Sequence, residues 1–442
     1  MKRLKWIIPL IVTIILATNS SCTKNHDLFD QGVTQAISDS VSPVDSLDKN
    51  HTWLLTESRS ITVTANANVN AQWLKILTAD PHKDANAEVA TQVMIADGET
   101  TFMSFSYPKL LTTLYAALVD DKGLYTVTAF SPSDQKVDFS DPLYTKQLIT
   151  YIPQPQTFVY CYEEEMPDFV NLDFDFNDMV MAIAYERTGE REMRFHVTLN
   201  AVGTTYPMSG ALHLKNFKYD EIESVTTIGD ASFNVNSKGE NVPDQIISNN
   251  LLKNKELLLK SQSQAKEEDR EAVINLFCDA HWATGDLLSL NNVALIDRKC
   301  YNVSKTTSTD FKTMVPKEVT YVVTFKEKTG LEYLTFELID PFIIKEYNGG
   351  TFEVHQYSYR NDWVLKEYKI ADIDKLPWAL VIPYKKFRHP LEGVNIGFKK
   401  KDIQGFGAYS SVRGHTFGEW SMDHNLAQDW YLNQYATENK VY

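Results

Sequence analysis

Oxygen-bearing side chains are concentrated between Tyr162 and Tyr185, in the stretch YEEEMPDFVNLDFDFNDMVMAIAY. Three consecutive glutamates come first, and a group of aspartates with one asparagine follows. Calcium takes about six to eight oxygen ligands at roughly 2.3–2.6 Å, and carboxylate-rich loops supply them. We therefore predict a structural Ca2+ site whose ligands come from both groups: Glu163, Glu164, Asp173, Asp175, Asn177 and Asp178.

The spacing of the second acidic group does not complete an EF-hand. The D-x-D-x-N pattern from Asp173 matches the start of that loop, but Asp178 stands where Gly is needed and Ala184 where a bidentate Glu is needed. The predicted site is therefore irregular, with Glu163 or Glu164 returning from across the loop. The alternative is a solvated acidic turn, or a turn closed by main-chain N–H groups, without metal.

The apolar run from Met179 to Tyr185 predicts a β-strand directly after the acidic group. Successive side chains of an extended chain point to opposite faces. If this period of two begins at Asp173, the oxygens of residues 173, 175 and 177 point to one side, and Phe174 and Phe176 point to the other. The two rings would then tie the acidic loop to a core.

The same stretch begins a series of segments that resembles a known family. After YEEE and DFDFNDMV come VINLFCDAH (273–281), LIDPFI (338–343) with EVH (353–355), LPWALVIP (376–383), FRHPLEG near Phe387, and GEWSMDHNLAQDWY ending at Tyr431. In this order they resemble the LruC-type, DUF4842-like domain of bacterial surface lipoproteins, over roughly residues 155–435. The resemblance implies a β-rich envelope protein and implies little about activity.

The N-terminus has the pattern of an export signal. Lys2, Arg3 and Lys5 precede an apolar run that is too short for a permanent membrane span. The small residues before Cys22 resemble a lipobox, although Asn19 stands where Leu is usual. We predict that Cys22 carries acyl chains that anchor the protein at the outer membrane, in an arrangement that allows surface exposure. The alternative is an ordinary signal peptide with an incidental cysteine.

Residues 23–50 are polar and acidic with few large apolar groups, which is typical of a tether. Two strings in this segment, Asp39-Ser40-Val41 and Asp45-Ser46-Leu47, resemble the acceptor pattern of protein O-glycosylation in the Bacteroidota. Ser40 and Ser46 are therefore predicted glycosylation sites.

The charge of the chain limits its partners. The formal charge of −15 becomes −18 once Lys2, Arg3 and Lys5 leave with the signal peptide. This balance argues against nucleic acid, whose binders cluster Lys and Arg. It also argues against electrostatic attraction to anionic lipid, so attachment to the membrane would depend on the acyl chains.

Strand patterns dominate the rest of the chain. Residues 51–150 contain SITVTANAN and LYTVTAF, which alternate polar and apolar residues, and the turns Asp97-Gly98 and Asp121-Lys122-Gly123. The sequence predicts a mainly β fold, with a small β-sandwich at 51–150 followed by a larger β-rich LruC-type domain at 151–442. After Cys22, Cys161, Cys278 and Cys300 allow at most one internal disulfide, with the last two nearest in sequence.

Catalytic motifs are missing from the sequence. It contains no H-E-x-x-H, G-x-S-x-G, Walker A or dinucleotide glycine pattern, and its histidines are scattered. Carboxylate pairs of the kind a glycosidase uses are abundant in so acidic a chain and mark no site. The aromatic tail with Trp420, Trp430 and Tyr431 is interpreted as core, and the alternative is a sugar-stacking platform.

Together these patterns predict a non-enzymatic surface lipoprotein that acts as a binding, adhesion or structural module. Its partners would be the membrane, through the acyl chains, and a glycan or protein ligand at the cell surface. The alternative function is a carbohydrate-active hydrolase or a glycan-binding component of a polysaccharide-utilisation system.

Overall fold

The computed structural model describes residues 46–164, 173–229, 232–233, 266, 269–285, 298–328, 330–347, 350–356, 377–397 and 407–442. Within these ranges the chain is mainly β, as predicted: its strands form four sheets, and the α-helices are two short segments. None of the helices in these ranges has the length and apolar character that crossing a membrane requires.

Residues 56–148, the first β unit, form two sheets around one core. The chain passes through β1 (Thr56–Thr64), β2 (Ala71–Leu77), β3 (Val89–Met94), β4 (Thr100–Pro108), β5 (Leu114–Asp120), β6 (Leu124–Phe130), β7 (Lys136–Asp138) and β8 (Tyr144–Leu148). One sheet has the order β4-β1-β7 and the other β3-β2-β5-β6-β8. Inward side chains of both sheets, among them Val63, Leu74, Phe105 and Leu118, share the core. The exact limits of the predicted domains stay predictions.

The remaining strands form a larger unit. They are β9 (Thr157–Tyr162), β10 (Met179–Arg187), β11 (Glu192–Val202), β12 (Met208–Lys218), β13 (Ile222–Thr227), β14 (Glu271–Phe277), β15 (Cys300–Tyr301), β16 (Phe311–Lys312), β17 (Lys317–Phe325), β18 (Ile339–Tyr347), β19 (Gly350–Val354) and β20 (Ala379–Ile382), with helices α1 (Ala280–Ala283) and α2 (Phe417–Met422). The central sheet has the order β13-β17-β11-β10-β9-β20, with β15 paired to β11 and β16 paired to β15. The outer sheet has the order β14-β12-β18-β19.

The central and outer sheets pack face to face. In β11, EMRFHVTLNAV, the apolar residues Met193, Phe195, Val197 and Leu199 recur with a period of two, and all four lie in the core between the sheets. The residues between them are partly buried. This alternation is typical of a strand with one fully covered face.

Strands β9 and β10 are instead buried on both faces. Phe158 and Tyr160 point into the core shared with the outer sheet, whereas Val159 and Cys161 lie in a second core on the opposite face. This second core is covered by the C-terminal layer, which we define as residues 384–397 and 407–442. Its large buried rings include Tyr409, Phe417, Trp420, Trp430 and Tyr431, so the interpretation of the aromatic tail as core is correct.

The segment that enters the first β unit also lies against the C-terminal layer. Trp53 belongs to the second core, and the Asp48 N–H donates to the Ser421 carbonyl at 2.9 Å. The His51 ring stacks on Trp53 and contacts the Trp420 carbonyl oxygen through Nε2 at 2.9 Å. Burial lowers the pKa of His51 to about 4, so this ring is neutral at pH 7. The end of the predicted tether is therefore docked.

Cys161, Cys278 and Cys300 form no disulfide with one another. The Cys300 thiol donates to the Gly203 carbonyl at 3.2 Å, and burial raises its pKa to about 12. Burial also raises the pKa of Cys161. These two cysteines act as small core residues, and no disulfide staples the described part of the chain.

The close packing of the C-terminal layer predicts that removal of one ring destabilises the protein. Trp430 is fully buried, with the Phe417 and Tyr409 rings at 5.1 and 5.3 Å between centroids. Trp430→Ala should lower the free energy of unfolding by about 3–5 kcal/mol, because it leaves a large cavity. Chemical denaturation measures this change. Leu426→Ala, at an exposed position of the same segment, is the matched control. Equal stability of the two variants would contradict a packed C-terminal layer.

Candidate functional site

The pairing of β9 with β10 brings the two acidic groups together. In this antiparallel pair Tyr162, the last residue of β9, lies opposite Met179, the first residue of β10. Glu163 and Glu164 follow the end of β9, and residues 173–178 precede the start of β10. Both groups therefore lie at the same end of the β9–β10 strand pair. The predicted strand is confirmed and runs from Met179 to Arg187.

The expected extended conformation from Asp173 to Asn177 is wrong. Phe174 and Phe176 have φ angles of 55° and 52°, in the left-handed region that bulky residues rarely adopt. Both rings are buried in the second core, and the Ile396 N–H donates to the Phe174 carbonyl at 2.9 Å. Each such residue costs roughly 1–3 kcal/mol of backbone strain, which ring burial offsets. The segment is therefore a curled loop.

Three of the six predicted ligands converge. Glu163, Asp173 and Asp175 each offer a carboxylate oxygen, and these oxygens lie within 4.8 Å of one another. Glu163 and Asp175 are each 1% exposed, and Asp173 is partly buried. We call these three residues the carboxylate cluster. A single cation can reach all three oxygens.

Glu164 is engaged elsewhere. Its carboxylate forms an ion pair with Lys345 of β18 and accepts a hydrogen bond from the Thr204 hydroxyl at 2.6 Å. Its backbone N–H donates to Asp178 Oδ2 at 2.6 Å. Lys345 also lies over the Tyr206 ring at 4.1 Å. The structure therefore places Glu164 in an ion pair and outside the carboxylate cluster, in contrast to its predicted role as a ligand.

Burial raises the pKa of the carboxylates in this loop. Burial raises the pKa of Glu163, and repulsion from Asp178, Asp175 and Asp173 adds to the shift. Burial also raises the pKa of Asp175, with repulsion from Asp173 and Asp178. The pKa values of Asp173 and Asp178 move in the same direction, chiefly through burial. Without a counter-charge these groups resist full ionisation.

Two buried oxygens beside this cluster lack a hydrogen-bond donor. Glu163 Oε2 and Asn177 Oδ1 are both inaccessible, and no donor in the described part of the chain reaches them. Asp178 is within range of Glu163, but two carboxylates can share a hydrogen only if one of them is protonated. Buried carboxylate oxygens are normally paired. The geometry and the missing donor both favour a cation.

A loop far along the chain closes the site, and its residues carry no sequence pattern that predicts this role. The Gly393 N–H donates to Asp175 Oδ2 at 2.8 Å, and the Asn395 side chain donates to the Asp173 carbonyl at 3.1 Å. Glu392, from the same FRHPLEG run, adds repulsion to Asp175. The only sequence signal for this loop was its place in the family resemblance.

Gly203 sets the space behind Asn177. A Cβ atom at residue 203 would lie 2.0 Å from Asn177 Oδ1 and 2.7 Å from the Asn177 carbonyl oxygen. The Gly203 N–H donates to the Asp178 carbonyl at 3.0 Å. The end of β11 therefore approaches the acidic loop at a distance that only glycine permits.

A second buried polar group lies on the outer sheet. His355 Nδ1 contacts Asp340 Oδ2 at 2.7 Å, and its Nε2 contacts Glu353 Oε2 at 3.3 Å. His213 contacts Glu271 at 2.7 Å and approaches Asp340 at 3.7 Å. Two histidines that lie far apart in the sequence therefore flank one carboxylate, that of Asp340. Burial opposes charge on His355, but Asp340 and Glu353 outweigh it and raise its pKa to about 9.

The remaining predicted sites are mostly outside the described residues. Cys22 and Ser40 both lie there, and their modification stays a prediction. Ser46 is described and is exposed, as a glycosylation acceptor must be.

A further group, Asp48, Asp423 and His424, also holds ligand atoms within 4.8 Å of one another. Here His424 Nδ1 already contacts Asp48 Oδ2 at 2.5 Å, so this group fastens residue 48 to the C-terminal layer.

Comparison with known proteins identifies a family to which no function is assigned. A family model described as "Domain of unknown function (DUF4842)" matches residues 191–420. Since this range is more than half of the 442 residues, the chain belongs to the DUF4842 family. The matched range includes Glu392 and Lys345, and the carboxylate cluster precedes it.

One solved structure is similar over most of the chain. It is a crystal structure described as that of a "Putative lipoprotein from Bacteroides ovatus". The alignment covers 84% of this chain and 99% of that chain, with a TM-score of 0.46 and 16% sequence identity. No curated protein matches the chain.

The contacts of His355 with Asp340 and Glu353 predict that the stability of the protein depends on pH. The pKa of His355 is about 9 in the folded protein and near 6.5 in an unfolded chain. Its stabilising effect is therefore complete below about pH 6.5 and is lost as pH rises through about 9. Between these values the wild type should lose on the order of 1–3 kcal/mol more than His355→Gln, as measured by denaturation at each pH. Gln135→Ala, an exposed position without a titratable group in the first β unit, is the control and should follow the wild type. Parallel curves for wild type and His355→Gln would refute the charged state.

Proposed function

We propose that this chain is a lipid-anchored protein of the cell envelope whose β-rich region is a non-enzymatic binding or structural module, stabilised by a bound Ca2+. The observation that carries the proposal is the carboxylate cluster: Glu163, Asp173 and Asp175 place oxygens within 4.8 Å of one another, in a buried position. The Glu163 oxygen that lacks a donor supports the same reading.

The donor set favours Ca2+ over other metals. It consists of hard oxygen ligands, without a histidine or thiolate among the converging three. Calcium accepts irregular geometry and takes further ligands from main-chain carbonyls, amide oxygens and water, whereas Mg2+ demands a near-octahedral arrangement. Asn177, whose side-chain oxygen lacks a donor, and Asp178 are the next candidates from this loop. Glu164 is not a candidate, because it is paired with Lys345.

A structural role for the metal is favoured over a catalytic one. A glycosidase needs two carboxyl groups on either side of a substrate bond. Glu163 and Asp175 are almost inaccessible, and the segment between Asp173 and Asn177 is held in the second core by Phe174 and Phe176. A cation at this position acts on the packing of the C-terminal layer. These features, with the missing catalytic motifs, support a module without hydrolase activity.

Attachment to the membrane rests on the N-terminal sequence. The basic start, the apolar run and the lipobox-like residues before Cys22 support cleavage and acylation at this cysteine. The negative charge of the mature chain offers no electrostatic attraction to anionic lipid, so the acyl chains would be the anchor. We further propose that the anchored protein resides at the outer membrane.

Calcium should raise the thermal stability of the protein. A ligand present at about one hundred times its dissociation constant adds roughly 2.7 kcal/mol, which shifts the melting temperature by a few degrees or less in a domain of this size. We would measure melting in excess EDTA and then in millimolar Ca2+, with calorimetry for binding. Asp173→Asn/Asp175→Asn should remove the Ca2+ response. In EDTA this variant should melt at or above the wild-type temperature, because two repelling charges are gone.

The matched control removes the same number of charges at exposed positions. Asp121→Ala/Asp141→Ala, in the first β unit, should keep the full Ca2+ response. If the wild type melts identically in both buffers and calorimetry detects no binding, the metal part of the proposal is wrong.

Acylation is tested by cell fractionation. Cys22→Ala should leave the membrane fraction, because the acyl chains are the proposed anchor. Cys278→Ala, which removes a thiol in the folded part, should remain membrane-bound. Retention of Cys22→Ala with membranes after a salt wash would contradict the lipoprotein assignment.

A further inference from the structure

A cleft separates the first β unit from the turn that joins β10 to β11. Its volume is about 550 Å³, within the range of small-molecule sites. One wall comes from β3, β4 and Glu99 between them, and the other from Arg187, Gly189 and Glu190. Lys328 and the 3-10 turn Leu331–Tyr333 close one end. Polar contacts fix the walls, since the Gln92 side chain donates to the Arg187 carbonyl at 2.7 Å.

Two aromatic rings that contact each other line this cleft. Phe102 comes from the first β unit and Tyr333 from the larger unit, with ring centroids 5.4 Å apart at an angle of 48°. Phe102 is 41% exposed and Tyr333 is 53% exposed. Met94, beside them, is also exposed. Grouped exposed apolar side chains within a cleft, rimmed by polar residues, are typical of a ligand site.

The polar residues of the cleft are oriented before any ligand binds. The Arg187 guanidinium donates to the Gly189 carbonyl at 3.0 Å and to the Glu190 carbonyl at 3.1 Å. The Glu99 carboxylate accepts a hydrogen bond from the Ala96 N–H at 2.9 Å. Lys328 lies 3.7 Å from Glu190. Preorganised donors and acceptors reduce the entropy that binding costs.

The charge of the lining narrows the class of ligand. Three carboxylates, from Glu99, Glu190 and Glu332, face two cations, from Arg187 and Lys328. This balance disfavours phosphates and other anions. The density of charged groups and threonine hydroxyls disfavours a purely apolar ligand, which would leave them desolvated without partners. A ligand must therefore offer many hydroxyl groups and also a flat apolar face.

We propose that this cleft binds a short neutral oligosaccharide, with a sugar ring stacked on Phe102 and Tyr333 and its hydroxyls bonded to Glu99, Glu332 and Arg187. The C–H face of a pyranose is apolar and matches an aromatic ring, while its hydroxyls donate to carboxylates and accept from a guanidinium. The inference rests on the proposed function and names the ligand class of the binding module. The lining of this cleft includes none of the C-terminal rings.

The test is calorimetry with the full chain in buffer that contains Ca2+. The probes are maltotetraose, cellotetraose, mannotetraose, laminaritetraose and xylotetraose, with a polygalacturonate oligomer as the anionic comparison. At least one neutral probe should bind at high micromolar to millimolar concentration. Phe102→Ala and Tyr333→Ala should each weaken this binding roughly tenfold, whereas Phe102→Tyr and Tyr333→Phe retain a ring and should keep it.

Ile152→Ala, which removes an exposed apolar side chain outside the cleft, is the matched control and should bind like the wild type. Melting curves verify that each variant is folded. The proposal is overturned if no neutral probe binds, if both ring deletions bind normally, or if polygalacturonate binds more tightly than every neutral probe. It is also overturned if the sugars fail and a displayed random-peptide library yields binders that depend on Phe102 and Tyr333. The Ca2+ response and the Cys22→Ala fractionation are separate measurements, so failure here is distinguishable from failure of the proposed function.

Discussion

The architecture of the larger unit depends on the pairing of β9 with β10. These two strands are covered on both faces, so one set of main-chain hydrogen bonds fixes the core toward the outer sheet and the core under the C-terminal layer. The same pairing places Glu163 beside Asp173 and Asp175. A shift of one residue in register would exchange the two faces and separate the acidic groups. The packing of both cores and the positions of the acidic residues therefore depend on the pairing of β9 with β10.

Two opposing contributions to the free energy of folding act on the loop between these strands. Burial of Phe174 and Phe176 draws the segment into the second core, and repulsion among the carboxylates resists it. Both phenylalanines adopt left-handed φ angles, because this conformation allows their rings to be buried. A divalent cation is a ligand that removes the repulsion and leaves the ring burial intact. Cation binding and ring burial in this loop would therefore be coupled.

Local patterns predicted the fold class and part of the site. The strand after Asp178, the period of two in β11 and the burial of Trp430 follow from side-chain chemistry read over a few residues. The partners of the acidic residues do not: Lys345 lies 181 residues from Glu164, and Gly393 lies 218 residues from Asp175. The left-handed turns at phenylalanine were also unpredictable, because no residue-type preference favours them. The cleft needs Phe102 from β4 and Tyr333 from the 3-10 turn Leu331–Tyr333, which periodicity cannot pair.

The docking of residues 46–55 has a mechanical consequence. The main-chain bond from Asp48 to Ser421 and the bridge between Leu54 and Val381 attach the chain to the larger unit before it enters the first β unit. The chain leaves the first β unit and returns to the same core at β9. If the protein is held by its N-terminus, tension passes directly into the C-terminal layer and the central sheet. The first β unit then lies beside this direct path of tension as a side branch, whereas the β10 wall of the cleft belongs to the sheet that bears the tension.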